Sequence, residues 1–330
     1  MALRDEIVDG ERFDEILVTV RDVKQHLNSS LGWLLTVEDT AGNEFEVKIW
    51  HTHDVDTWWR EGWRYILKSG RGTRRQGGQV TLHSTKDFAV QRPEDVVDLL
   101  ALGDSHIGRE TRPEDTNAPY HTSRQFIATM GYAARYDVDA VIYAGDLFDD
   151  HPTTEDIQLA ESGFKILAQN NIPFYFVYGN HGVTIANEFY DRIDDVEIDH
   201  LDTNGTQLNN QIALFGIDNQ PEADFRTTAS EVVDISGADQ QILVVHNEID
   251  PPRTESGLRL EALDPLREAE FDFILSGHLH DHESSLHSRT KIQYLGATAD
   301  ISTKSNADDQ SAWLVRLSSE TNRIERVDVT

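Results

Sequence analysis

The sequence predicts an α/β chain in two parts, a small closed β-barrel over residues 1–92 and a larger α/β domain over residues 93–330. Three patterns lead there. Short alternating apolar runs fill residues 13–90, strand-like and helix-like runs alternate after residue 95, and five of the later apolar runs stop abruptly at residues suited to holding a metal.

The first part contains the runs ILVTVRDV, WLLTVED, EFEVKIW, WRYILKSG and QVTLHSTKDFAV, separated by turn signals at Asp39–Asn43 and Gly70–Gly78. They read as five strands, and DVDTWWREG, between the third and fourth, reads as a short helix plugging one end. This order resembles an OB-fold, whose binding face and whose first and last loops hold oligonucleotides. Between Arg60 and Lys86 there are seven basic residues against one acidic residue, on a chain with a formal charge of −30. The centre of that stretch, KSGRGTRRQGGQ, falls between the fourth and fifth expected strands, the loop such a fold uses on nucleic acid. Lys68, Arg71, Arg74 and Arg75 are therefore the expected nucleic-acid contacts. Trp33 and Trp50 are expected to stack on bases, each stacked base gaining roughly 1–3 kcal/mol, while other Trp residues fill the barrel.

A short linker at Gln91–Asp95 leads into the second part. Helical runs at APYHTSRQFIATMGYAARY, TEDIQLAESGFKILAQN, VTIANEFYDRI and LRLEALDPLREA alternate with strand runs, and strands return at KIQYLGAT, SAWLVRLSS and RIERVDV. Five strand runs carry the chemistry: VVDLLALG, DAVIYAG, PFYFVYG, QQILVVH and FDFILSG. They end at Asp104-Ser105-His106, Asp146-Leu147-Phe148-Asp149, Asn180-His181, His246 and His278-Leu279-His280. Ligands bind beyond the carboxyl ends of such strands, so the five ends are expected to converge. Hydrolysis of a phosphate ester needs an activated hydroxide, neutralised phosphoryl oxygens and a proton for the leaving oxygen. Two cations about 3.5–4 Å apart supply the first two, and holding them so close calls for an anionic bridge such as Asp146.

The ordered set D-x-H, G-D-x-x-D, G-N-H, a later H and G-H-x-H resembles the calcineurin-like metallophosphoesterase superfamily, over about residues 96–300. The resemblance implies an α/β/β/α sandwich with two divalent ions, most simply Mn2+, with Fe or Zn as alternatives. It implies Asp104, His106 and His280 on the first ion, Asn180, His246 and His278 on the second, and Asp146 between them. It further implies that a metal-held hydroxide attacks phosphorus in line while His181 assists the leaving oxygen. Gly182 stands where the family usually has an acidic residue. Asp149, at the position that orients the general-acid histidine in the protein-phosphatase branch, is the expected partner of His181.

Composition narrows the setting. The 59 acidic residues outnumber the 29 basic ones, yet the apolar runs are regular, which suggests a folded, heavily hydrated protein of a salt-adapted cytoplasm. Near 1 M salt the Debye length is roughly 3 Å, so partners must be held by short-range contacts. Zero Cys excludes disulfides and thiolate metal sites. No signal-like start and no long apolar stretch are present, so a soluble, cytoplasmic protein without membrane contact is expected.

The metal set alone does not choose among phosphatase, nucleotide phosphodiesterase and nuclease. A barrel before such a phosphoesterase resembles the small subunit of the archaeal D-family DNA polymerase, and the GDSHIG and GDLFD wording resembles double-strand-break repair nucleases and their bacterial SbcD counterparts. The nearest likeness is to the haloarchaeal phosphoesterase associated with the single-strand-binding replication protein A. No segment suited to docking a repair ATPase is evident. The expectation is a two-metal nuclease or phosphodiesterase acting on DNA, on single strands or ends, in replication or repair. The alternatives are an enzyme on small nucleotides and a noncatalytic subunit of a single-strand-DNA-binding complex.

Overall fold

The computed structural model describes residues 4–327 apart from 54, 56, 58, 76, 110–120, 210, 233–237, 251–257, 260–270, 300–310 and 319–321. The chain forms two compact units, Met1–Val96 and Val97–Thr330.

The first unit is one curled sheet of seven strands, a half-barrel: β1 (Glu15–Gln25), β2 (Leu31–Asp39), β3 (Glu44–Trp50), β4 (Arg64–Lys68), β5 (Arg71–Arg74), β6 (Val80–His83) and β7 (Ala89–Gln91), in the order β5-β6-β3-β2-β1-β4-β7. Alternation builds it. Ile16, Val18 and Val20 of β1, Leu35 and Val37 of β2, Val47 and Ile49 of β3, Leu67 of β4 and Leu82 of β6 point inward and are buried, as period-2 strands with one solvated face require. Four expectations change, the first being that the sheet is a half-barrel with edge strands β5 and β7 and not a closed barrel. The last expected run is two strands, β6 and β7, and the basic stretch taken as a loop contains β5, which forms a hairpin with β6 through Arg71↔His83 and Arg74↔Val80. The described residues of the expected plug helix are not helical; a single short turn lies just before it, at His51–His53, and Trp58 is outside the described residues.

The second unit has two six-stranded sheets. Its elements are β8 (Val97–Leu102), α1 (His121–Arg135), β9 (Ala140–Ala144), α2 (Thr154–Asn170), β10 (Phe174–Val177), α3 (Val183–Tyr190), β11 (Ile198–His200), β12 (Thr206–Gln207), β13 (Ile212–Ile217) and α4 (Glu222–Ala229). They continue with β14 (Gln240–Val245), β15 (Ile249–Asp250), β16 (Leu258–Arg259), β17 (Phe273–Ser276), β18 (Glu283–His287), β19 (Thr290–Tyr294), β20 (Ala312–Leu317) and β21 (Arg323–Val327). One sheet runs β11-β10-β9-β8-β20-β21 and the other β12-β13-β14-β17-β19-β18, with β15 and β16 as a separate pair.

The inner faces share one core, Leu99, Ala101, Ile142 and Val177 from the first sheet packing with Leu214, Ile242, Val244 and Leu275 from the second. On the outer face of the first sheet, Tyr143 and Phe174 meet Phe126 of α1 and Phe164 of α2. On the outer face of the second, Phe215, Leu243 and Val245 pack against Phe225 of α4. The layers are therefore helices, sheet, sheet, helix. Local sequence sets α2 sharply. Thr153 accepts from the Asp156 amide while Asp156 reaches back to the Thr153 amide, a capping box, and Asn171 ends the helix in the left-handed region at φ 55°. The sequence reading did not include α4. Most of its fourth helical run, LRLEALDPLREA, lies outside the described residues, and its first two residues form β16.

Candidate metal centre

All five predicted strand ends are ends of parallel strands, but they are divided between the sheets. β8, β9 and β10 lie side by side in one, β14 and β17 side by side in the other. Their carboxyl ends bring Asp104, His106, Asp146, Asn180, His246, His278 and His280 together. The Oδ2 of Asp146 lies 3.5 Å from His106 Nε2 and 3.2 Å from His246 Nε2. Asp104 Oδ1 lies 3.9 Å from His106 Nε2 and 4.0 Å from His280 Nε2. The Oδ1 of Asn180 sits between two rings, 3.2 Å from His246 Nε2 and 3.0 Å from His278 Nδ1.

The backbone is bent to achieve this. Asp104, His106, Asp146 and His278 have φ of 50°, 41°, 56° and 78°, the left-handed region that non-glycine residues rarely adopt. Strain of this kind persists where surrounding structure over-determines it. Main-chain hydrogen bonds provide that here: Asp104 N donates to Gly145 O, His106 N to Asp146 O and Ile107 N to Leu147 O. Both Asp104 oxygens accept from the His278 amide, and Asp146 Oδ1 accepts from the His181 amide at 2.8 Å. Close approach explains two of the glycines. A Cβ on Gly179 would lie 2.0 Å from Asp146 Oδ1, and one on Gly277 would lie 2.1 Å from Ala144 O.

Burial dominates the electrostatics. Asp104 and His246 are fully buried, and His106 and Asp146 are nearly so. Burial pushes Asp104 up to about 8, with the charge of Asp146 adding to that and His246 opposing it. Burial also pushes Asp146 up, but the hydrogen bond and charge of His246, the charge of His106 and the His181 amide outweigh it and hold the carboxyl below its usual range. His246 is pulled down by burial, yet the hydrogen bond to Asp146 and the two carboxylate charges raise it to about 9. Burial pushes His106 down to about 3 and His280 to about 4.

A cation fits this donor set. Both ring nitrogens of His106 are buried without a hydrogen-bond partner, and Nε2 faces the two carboxylates. Leaving a buried donor or acceptor unpaired costs about 1–3 kcal/mol, so an ion taken up by such a ring would relieve a real penalty. His246 Nδ1 faces Ala144 O at 2.6 Å, which in the neutral ring puts the proton on Nδ1 and turns the Nε2 lone pair toward Asp146 and Asn180. The sets Asp104/His106/His280 and Asp104/Asp146/His246 each bring three donors close enough to hold an ion.

Residues 97–282 match the family model for calcineurin-like phosphoesterases. The chain belongs to that family. It is thereby a metal-dependent hydrolase, and the family implies divalent ions at this phosphoesterase centre. The chain is also similar to proteins named DNA double-strand break repair protein Mre11. Identity is 25% over 239 residues with that of Methanosarcina mazei, covering 69% of this chain and 37% of the relative. It is 25% over 208 residues with that of Haloferax volcanii, covering 61% and 45%, and 27% over 230 residues with that of Halobacterium salinarum, covering 67% and 57%. The chain thus spans between 37% and 57% of the length of these relatives.

His181 stands at the rim of the phosphoesterase centre, half-exposed, its ring edge-on to His106 with centroids 5.3 Å apart. The expected partner Asp149 stands close to it, since Asp149, Asp150 and His181 each offer an atom within 4.8 Å of the others, and Asp150 is the nearer carboxylate. Asp150 Oδ1 is 3.6 Å from His181 Nδ1, whereas Asp149 Oδ2 faces His106 Nδ1 at 3.9 Å and Arg109 Nε at 3.7 Å. The reason is main-chain pairing: Asp149 N donates to Ile107 O, which turns residue 149 toward the Asp104–Arg109 loop and leaves residue 150 toward His181. Gly182 also has a steric explanation. It caps α3 at φ 54°, and a Cβ there would lie 2.5 Å from Phe148 O, so an acidic side chain does not fit this backbone.

Sequence reading missed a buried prop beneath the site. The Tyr143 hydroxyl accepts from the Ser105 amide at 3.1 Å and donates to Asp146 O at 3.3 Å, tying the loops after β8 and β9 together, and burial pushes its pKa up. Asn219 Nδ2 holds the carbonyl of His246 at 2.6 Å. A tyrosine at the penultimate position of an apolar run carries no signal of such a role.

Of the expected nucleic-acid residues, Arg71 is exposed and Lys68 pairs with Glu15 at 3.6 Å. The Arg74 guanidinium donates to the carbonyls of Arg4, Asp5 and Ile7, which ties down the N-terminal segment. Arg75 flanks the β5–β6 turn, its amide bonded to Gln79 O. Trp33 and Trp50 are half-exposed, and Trp50 stacks on His83 with centroids 6.3 Å apart and planes 7° from parallel. Among the described residues no helix is long and apolar enough to cross a membrane.

Proposed function

We propose that this chain is a two-metal phosphodiesterase that cuts DNA, on single strands or at ends, in repair or replication. The observation that carries the reading is the position of Asp146, with one carboxylate oxygen against both His106 and His246. In this reading Asp104, His106 and His280 would hold one ion, Asn180, His246 and His278 the other, and Asp146 would serve both. Bound there, such ions, most simply Mn2+, would activate a water and neutralise charge on the phosphoryl oxygens. The water gives up a proton to solvent and its oxygen forms the new bond to phosphorus, the bond to the leaving sugar oxygen breaks, and His181 protonates that oxygen. Asp150, beside the His181 ring, is the carboxylate placed to orient it.

DNA as substrate is supported by the Mre11 relatives and by the exposed Arg71 and half-exposed Trp50 in the first unit. That unit is read as an OB-fold because β1 pairs antiparallel with both β2 and β4, β3 pairs parallel with β6, and β4 runs into β5 after only two residues. A salt-adapted setting accords with the charge, and association with a single-strand-binding replication protein A complex is part of the same proposal.

The deciding assay uses end-labelled single- and double-stranded oligonucleotides with Mn2+ at high potassium chloride, beside nitrophenyl monoester and bis-ester. Oligonucleotide and bis-ester cleavage is expected. Turnover confined to the monoester defeats the nuclease reading.

A further inference from the structure

We propose that Arg109 binds the phosphate being cleaved, presenting its open guanidinium edge to two non-bridging oxygens while Asp149 holds the other edge in place. This rests on the phosphodiesterase reading above and adds a substrate-binding residue to it, with Asp149 as a positioning residue.

Two loops fix the pair. His106 N donates to Asp146 O, Ile107 N to Leu147 O and Asp149 N to Ile107 O, so the two loops are zipped together strand by strand. Gly108 permits the closest point: its φ is 94°, and a Cβ there would lie 2.5 Å from the Cα of Pro152. Arg109 N then donates to His106 O, which places the arginine one turn, three residues, after a predicted metal ligand.

The side chain is held but not consumed. Arg109 Nε stands 3.7 Å from Asp149 Oδ2, longer than a hydrogen bond, and neither Nη makes a hydrogen bond among the described residues. Asp149 uses its other oxygen on the Asp150 amide at 2.7 Å. Arg316 shows what a structural arginine looks like in this chain: both its Nε and Nη2 bind Asp98, at 2.6 and 2.5 Å, and both side chains are buried. A planar fork with two free donors suits a pair of phosphoryl oxygens, and as a short-range contact it tolerates salt better than long-range attraction does.

The test compares wild type with Arg109→Ala, Arg109→Lys and Asp149→Asn on bis-nitrophenyl phosphate and on labelled oligonucleotides, with bound metal measured in each. Inorganic phosphate binding to the Mn2+-loaded proteins is measured by calorimetry. Arg109→Ala should lower kcat/KM about 10- to 100-fold on both substrates and weaken phosphate binding, with metal content unchanged. Free guanidinium at millimolar concentration should restore part of the loss, and lysine should restore less than arginine. Asp149→Asn should raise KM more than it lowers kcat.

Activity and phosphate binding within twofold of wild type in Arg109→Ala would overturn the proposal, as would a loss accompanied by loss of metal. If wild type cleaves no diester, the phosphodiesterase reading fails. Phosphate binding then decides the role of Arg109 separately: weakening by Arg109→Ala supports it and unchanged binding overturns it.

Discussion

The two units place their polar side chains in opposite settings. In the second, Asp104, His106, Asp146 and His246 are at most 4% exposed, and three of the four sit on left-handed backbone. In the first, Arg71 is exposed and Lys68 and Trp50 are half-exposed, on ordinary strands. Burying charged groups is costly unless something compensates them, so the first arrangement calls for an ion or another charge to justify it. An exposed cation on a strand calls for nothing. A site of the first kind identifies itself by its cost, whereas one of the second kind needs a binding measurement.

The sharpest way to break this contrast is Asp146→Ala. It should reduce cleavage by at least about 10³-fold, more than the loss of one stabilising donor, while oligonucleotide binding through the first unit persists. Unchanged cleavage by the purified variant would remove the buried centre from the mechanism.

Next comes pH. His246 is raised to about 9 and Asp104 to about 8, so a cation must displace the His246 proton below pH 9 and the Asp104 proton as well below pH 8, and apparent metal affinity should climb by about tenfold per pH unit between 8 and 9, more steeply below 8, and level near pH 9. The sign for stability follows. A histidine raised in the folded state stabilises fully below its unfolded value near 6.5 and loses that contribution as pH rises through about 9. Asp104, raised to about 8, pushes in the same direction. Thermal melts of chelated protein should therefore fall in Tm between pH 6.5 and 9, and Mn2+ should raise Tm more at the upper end. A chelated protein whose Tm is flat across that window would contradict the burial argument.

Gly179→Ala tests close packing without replacing any donor side chain. Its Cβ would press on Asp146 Oδ1, and metal affinity should fall about 10- to 100-fold, read by titration with Mn2+. The smallest effects belong to the first unit. Trp50→Ala should weaken oligonucleotide binding by roughly 1–3 kcal/mol if a base stacks there. Arg71→Ala should weaken it only a few-fold at high salt, lowering the salt slope by about 1.

The five strand ends were legible because each couples an apolar run to a polar stop, and a parallel strand carries its ligand residues at its carboxyl end whatever its neighbours are. The basic stretch at 68–75 was misread for a related reason. RGTR has no apolar alternation, so nothing in its local pattern distinguishes a loop from β5, an edge strand paired through its main chain to β6. Asp149 and Asp150 are adjacent acids, and no sequence rule decides which of them turns toward His181.

The sequence by itself determined the strand ends, the donor types and the absence of thiolate ligands, because these depend on residue identity and on periodicity along the chain. Tertiary structure decided which strands share a sheet, that Asp146 touches histidines from two different strand ends, that Tyr143 braces the loops after β8 and β9, and that Asp149 turns to Arg109. Those outcomes depend on main-chain hydrogen bonds between loops distant in sequence and on steric exclusions such as that at Gly182, and neither leaves a mark on the local pattern of residues.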